Sequence, residues 1–187
     1  MLIIFFVKKR DNSLNIFDIL AKKRLIAFSD IISKVKTILN KDSYTFKDSL
    51  FETCNLLKSE LDYFDWVGFY FANSKEKVLI LESYAGQPTD HTRIPFGKGI
   101  CGQVAVSNKN LIVPNVYDQE NYISCNINVK SEVVVPIFLN GNNIGQIDVD
   151  SNSLNPFNKV DIELLESVCQ LVSIKMKKSK ISIYEFN

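Results

Sequence analysis

Four cysteines, at positions 54, 101, 125 and 169, stand in a chain with a single histidine, His91, and no Cys-x-x-Cys pair. Zinc sites draw on closely spaced ligand pairs, so this set predicts no metal centre. The informative companions of the thiols are three carboxylates, Glu132, Asp148 and Asp150. Side chains alternate along a strand, which puts Asp148 and Asp150 on one face. The turn Asn140-Gly141-Asn142-Asn143 then carries Glu132 to within about a residue of lying opposite Asp150. Cys125 lies seven residues before Glu132, on the polar loop that feeds its strand, and can reach the same corner. A thiol beside crowded carboxylates suits reduction of a sulfoxide. Attack on sulfur needs a proton for the departing oxygen, and neighbouring carboxylates raise one another's pKa so that one stays protonated. The remaining negative charge can hold an ammonium group, and a second thiol condenses the resulting sulfenic acid to a disulfide.

Each of these residues also has a plain structural reading. The carboxylates could form a solvated sheet end, although the apolar run after Glu132 implies a strand buried on both faces. Cys125 could be a loop cysteine with no role. Cys101 follows a Gly-x-Gly in the first turn of a helix, where backbone N–H groups stabilise a thiolate, or it packs there as a small residue. Trp66 and Tyr70 share one strand face and either wall a pocket or fill the core. Cys54 and Cys169 fall on the apolar stripes of their helices and are structural.

The elements that must position these groups follow from periodicity. Apolar residues at helical spacing predict a helix over Ile31–Leu39 and another from Phe46 to Leu61, capped by Thr45, with Phe46, Leu50, Phe51, Cys54, Leu57 and Leu61 inward. Strands are expected at Trp66–Phe71, Val78–Tyr84 and Arg93–Phe96, then a short helix Ile100–Ser107 and a strand at Leu111–Val113. Residues 114–131 form a long polar loop, a kind that is usually functional or disordered. Strands Glu132–Leu139 and Ile144–Asp150 form a hairpin, and Asn158 caps a final long helix. This order describes an α+β domain with a mostly antiparallel sheet. Residues 1–30 are expected to be an extension of uncertain structure, and residues 31–187 the domain.

The chain has 187 residues, enough for one domain with its own core. Its 22 basic and 21 acidic side chains nearly cancel, which argues against a nucleic-acid footprint or a membrane-surface preference. The opening run Met1–Val7 lacks a basic n-region and a small-residue cleavage site, and is far shorter than a bilayer span. It is expected to be an added strand, a partner-binding arm or the product of a misassigned start codon, and the protein to be cytoplasmic.

At the residues just named the sequence resembles the GAF-domain free methionine-R-sulfoxide reductases. The matching stretches are Trp66-Val67-Gly68-Phe69-Tyr70, residues 93–102 (Arg93-Ile94-Pro95-Phe96-Gly97-Lys98-Gly99-Ile100-Cys101-Gly102), Ser124-Cys125, Ser131–Pro136 and Gly145–Ser151. The resemblance covers about residues 35–178. It implies a GAF fold, a six-stranded antiparallel sheet flanked by helices, and reduction of free L-methionine-(R)-sulfoxide. It matches Cys125 to the nucleophile, Cys101 to a resolving cysteine, and Trp66, Tyr70, Glu132, Asp148 and Asp150 to the substrate pocket. It further implies a homodimer with no bound cofactor, reduced by thioredoxin or a similar dithiol. One departure stands out: many members carry a third cysteine ten residues before the Cys101 position, where this chain has His91. The competing classes are a GAF ligand-binding or redox-sensing module without catalysis, and a thiol peroxidase.

Overall fold

The computed structural model describes residues 16–119 and 128–181, with side chains from Ile26 onward. Cys125 and the run Met1–Val7 lie outside the described residues. The elements are α1 (Ile16–Leu39), α2 (Phe46–Glu60), β1 (Trp66–Asn73), β2 (Val78–Ala85), β3 (Arg93–Pro95), α3 (Gly99–Ser107), β4 (Leu111–Val113), β5 (Ser131–Leu139), β6 (Asn142–Ser151) and α4 (Lys159–Ser179), with a 3-10 turn at Val116–Asp118. Six strands form one antiparallel sheet in the order β3-β2-β1-β6-β5-β4. The α+β, antiparallel expectation is met, and no described helix is long and apolar enough to cross a membrane.

The sheet separates two apolar clusters because its strands alternate. Odd positions of β1 (Val67, Phe69, Phe71) join Val133, Val135, Ile147 and Val149 in the larger cluster, packed against α1, α2 and α4. Each such side chain contributes about 1.5–3 kcal/mol on leaving water. Even positions (Trp66, Tyr70, Ala72) turn to the opposite face, where Ile100, Cys101 and Val104 of α3 cover them. That second, thinner layer holds the candidate site.

Helix starts follow the local chemistry. Thr45 and Asn158 each close a capping box, with Asp48 and Asp161 reaching back to the cap backbone. Cys54 and Cys169 are buried thiols on the stripes predicted for them, and burial pushes both thiol pKa values up. Two local expectations shift. The helix expected at Ile31 begins at Ile16, and Phe28 packs into the larger cluster, so the alternation of apolar and basic residues before Ile31 hides a helix. Phe51 is 46 % exposed; it sits ~100° around the helix from Leu50 and leaves the inward stripe.

Candidate active site

Strand register assembles the site in three cross-strand rows. Glu132, Asp150 and Trp66 form the first, Val134, Asp148 and Gly68 the second, and Pro136, Gln146 and Tyr70 the third. Glu132 therefore stands directly opposite Asp150. The register shift between Ile137 and Phe138, near the hairpin turn, absorbs the residue of offset left open by turn geometry alone. All three carboxyl groups are buried, at 4 % exposure for Glu132 and 1 % for Asp148 and Asp150. β5 is buried on both faces from Ser131 to Ile137, as its apolar run implied.

Helix α3 lowers Cys101, its third residue, onto the second row. The Cys101 Sγ, a Glu132 oxygen and an Asp148 oxygen all lie within 4.8 Å of one another. Distance alone would let this trio bracket a cation, but its members hydrogen-bond among themselves. Cys101 bonds to both carboxyl groups and Glu132 bonds to Asp148, contacts that require protons between them.

Burial dominates the electrostatics. It pushes Glu132 well above the usual carboxylate range, helped by the charges of Asp148 and Asp150. Burial likewise raises Asp150, with Asp148 and Asp65 adding to the effect. Asp148 rises to about 7, burial being opposed by hydrogen bonds from Cys101, Glu132 and the Val149 backbone. The cluster thus divides its labour: Asp148 is the member best equipped to carry charge, and Glu132 is the proton-bearing neighbour that bonds to it. A carboxylic acid held protonated near neutrality is a proton source, and a buried carboxylate beside it is a cation site.

The aromatic wall is built from the first strand. Trp66 and Tyr70 face each other with ring centroids 6.4 Å apart, and Trp66 stacks on Tyr84 at 5.6 Å. The Trp66 Nε1–H donates to the Gln87 carbonyl at 3.1 Å, and the Tyr70 hydroxyl to the His91 carbonyl at 2.9 Å. The indole lies flat over Gly68, where an added Cβ would collide with Trp66 Cη2. Gly68→Ala is therefore expected to push Trp66, the only tryptophan, off Tyr84. The expected cost is about 1–3 kcal/mol for overpacking, and intrinsic fluorescence should shift to the red. An unchanged spectrum and melting temperature would contradict this packing.

A cavity of about 580 Å³ opens beside this wall, lined among others by Asp65, Trp66, Gln87, Thr89, Asn128 and Asp150. That volume suits a small ligand. Of the residues singled out from sequence, Cys101, Glu132, Asp148, Asp150, Trp66 and Tyr70 come together, and Cys125 lies outside the described residues. Asn128 and Val129, just beyond the segment that holds Cys125, line the same cavity. His91 is half-buried, two residues before β3, with its carbonyl on Tyr70.

Three site residues escaped the sequence reading. Tyr84 pairs with Gly68 across β1 and β2, which the hairpin register would have shown. Asp65 accepts from the Asn152 backbone N–H at 2.7 Å and faces Asp150. Gln146 continues the even-numbered polar series of β6 inward, and its side chain is fully buried.

Residues 46–177 match the GAF domain family. The free methionine-R-sulfoxide reductase of Escherichia coli is 30 % identical over 131 residues, 70 % of this chain and 78 % of that protein. The Saccharomyces cerevisiae protein of the same name is 40 % identical over 111 residues, 58 % of this chain and 61 % of that one. Among solved structures, the free methionine-R-sulfoxide reductase of Neisseria meningitidis, in complex with its substrate, superposes with a TM-score of 0.77 at 29 % identity, covering 84 % of this chain and 92 % of that one. The chain belongs to the GAF domain family and, within it, to the free methionine-R-sulfoxide reductases.

Proposed function

We propose that this protein reduces free L-methionine-(R)-sulfoxide to methionine, with Cys125 as nucleophile and Cys101 as resolving thiol. The observation that carries the reading is the buried cluster of Cys101, Glu132 and Asp148 beside the face of Trp66 and Tyr70. Asn128 at the cavity edge is three residues from Cys125, a reach of ~10 Å, so the thiol has chain enough to enter.

In this reading Asp148 and Asp150 hold the substrate ammonium, and the aromatic wall packs on its methyl-sulfur end. The Cys125 thiolate attacks the sulfoxide sulfur while Glu132 delivers a proton to the oxygen. The sulfur–oxygen bond breaks, the oxygen passes to Cys125 as a sulfenic acid, and methionine leaves. The sulfoxide sulfur gains two electrons and Cys125 loses two. The Cys101 thiol then displaces water from the sulfenic acid to give a Cys101–Cys125 disulfide. Thioredoxin or a similar dithiol returns the two electrons, so no bound cofactor is required. Such thiol cycling suits a reducing compartment, which supports a cytoplasmic location, and the family resemblance supports a homodimer as the working unit. His91 stands where a third cysteine would offer another disulfide route, so the sulfenic acid is resolved by Cys101 or directly by an external thiol.

The test is NADPH oxidation coupled through thioredoxin, run with the free R sulfoxide, the free S sulfoxide and peptide-bound sulfoxide. Turnover is expected with the first alone. Saturable binding of a cyclic nucleotide without turnover would favour a ligand-sensing module instead, and rapid Cys125-dependent consumption of peroxide a thiol peroxidase.

A further inference from the structure

The reaction leaves one polar group of the site unused. Gln146 is fully buried, and neither its Nε2 nor its Oε1 has a hydrogen-bond partner. An amide buried without partners is destabilising, so its presence in a packed layer calls for a physical reason. Its neighbours supply one. Gln146 shares a sheet face with Asp148 two residues away, at a spacing of about 6.8 Å along the strand. Asp148 Oδ1 is also buried and unpartnered. Three orphaned groups share this dry face, the Gln146 amide and the Oδ1 atoms of Asp148 and Asp150; the amide and its nearer carboxylate, a donor and an acceptor, match in chemistry and separation. A glutamine side chain and one water span that distance, and a buried water needs two to four polar partners.

We propose that Gln146 is a positioning residue whose amide donates to Asp148 Oδ1 through one buried water, and so keeps that carboxylate oriented and charged for the ammonium group. This deepens the reductase reading and rests on it for the identity of the cation. Other groups act on Asp148 as well. Cys101 of α3 and Glu132 of β5 hydrogen-bond to it, and Asp150 follows it on β6 with Asp65 behind. Tyr70 of β1 stands across from Gln146, its hydroxyl given to His91. Gln146 is a neutral, fully buried donor with no other bond to make. The sign follows directly. A donor to the charged form favours ionisation, so its removal disfavours the carboxylate.

The experiment follows the Asp148 carboxyl carbon by 13C NMR against pH in protein labelled at aspartate, assigned with Asp148→Asn. In Gln146→Met, close to isosteric and without the amide, the Asp148 midpoint is expected to move up by about one pH unit. The acid limb of kcat/KM should move with it, and the thermal midpoint should fall at neutral pH, where the Asp148 carboxylate loses a donor. Gln146→Leu, a second apolar replacement, should give the same shift and guards against a folding defect in the first. An Asp148 midpoint equal to wild type in either folded variant would overturn the proposal. Because the titration needs no turnover, a wild-type protein inactive on sulfoxides would defeat the functional reading and leave this result readable.

Discussion

Replacing Cys125 by serine is expected to leave the fold intact and to lower sulfoxide turnover by at least about a thousandfold. A hydroxyl at its ordinary pKa is not a nucleophile near pH 7, and no other thiol substitutes for this one. Cys54 and Cys169 lie in the opposite layer, locked against α2, α4 and the sheet, with thiol pKa values raised by burial. Cys101 reaches the cluster, but it is held in the first turn of α3 and hydrogen-bonded to Glu132 and Asp148. Cys101→Ser should behave differently. Its first turnover should proceed, releasing one methionine per protein, and the thioredoxin-coupled cycle should then stall at the sulfenic acid. Rapid-quench measurement of methionine in both variants separates the roles, and full coupled turnover by Cys125→Ser would refute the assignment.

The second large effect concerns the carboxyl cluster, where function and stability should pull apart. Asp150→Asn is expected to lower kcat/KM by about a hundredfold, the scale expected when one partner of a buried charge pair is lost. It should also stabilise the protein at neutral pH. Burial raises the folded-state pKa of Asp150 well above its ordinary 3.8. Below about pH 4 the group is protonated in both folded and unfolded chains and has no effect. As pH rises further the unfolded chain releases its proton while the folded chain retains it or pays to ionise. Stability conferred by the wild-type carboxyl is therefore lost as pH rises from the ordinary carboxylate range toward the raised folded-state pKa of Asp150. The melting temperature of Asp150→Asn should match wild type near pH 4 and exceed it by about 3 °C or more at pH 7.5. A difference independent of pH would show that the carboxyl is not the source of strain.

This conflict explains why the site is built as it is. Asp148 and Asp150 interrupt a strand that is otherwise ideal for burial, with Ile147 and Val149 packed fully inside the larger cluster. The sheet supplies a rigid frame that holds the carboxyl groups together despite the cost, and α3 covers Glu132 and Asp148 with Cys101. A loop could not do this, because repulsion would part the side chains.

Much of that frame was legible in residue order. The Asp-x-Asp of β6 announces two carboxyls on one face, and Thr45 and Asn158 mark helix starts by capping chemistry alone. The continuous apolar run from Val133 to Ile137 reports a strand covered on both sides. The pairing of Glu132 with Asp150 was visible only to within a residue, since it depends on the irregularity beside Ile137. Tyr84, Asp65 and Gln146 were not legible singly. Tyr84 matters through the Trp66 ring and Asp65 through Asp150, neighbours brought close by register, whereas the complete burial of Gln146 depends on the layer that covers β6. Phe51 shows the reverse error, since an apolar side chain one position off a helical stripe faces outward.

The most direct measurement is peptide mapping by mass spectrometry after the fully reduced protein meets one equivalent of free methionine-R-sulfoxide, with no external thiol. The account predicts one methionine released per chain and a disulfide joining Cys101 to Cys125. Methionine released while Cys125 is recovered as an unmodified thiol would contradict it.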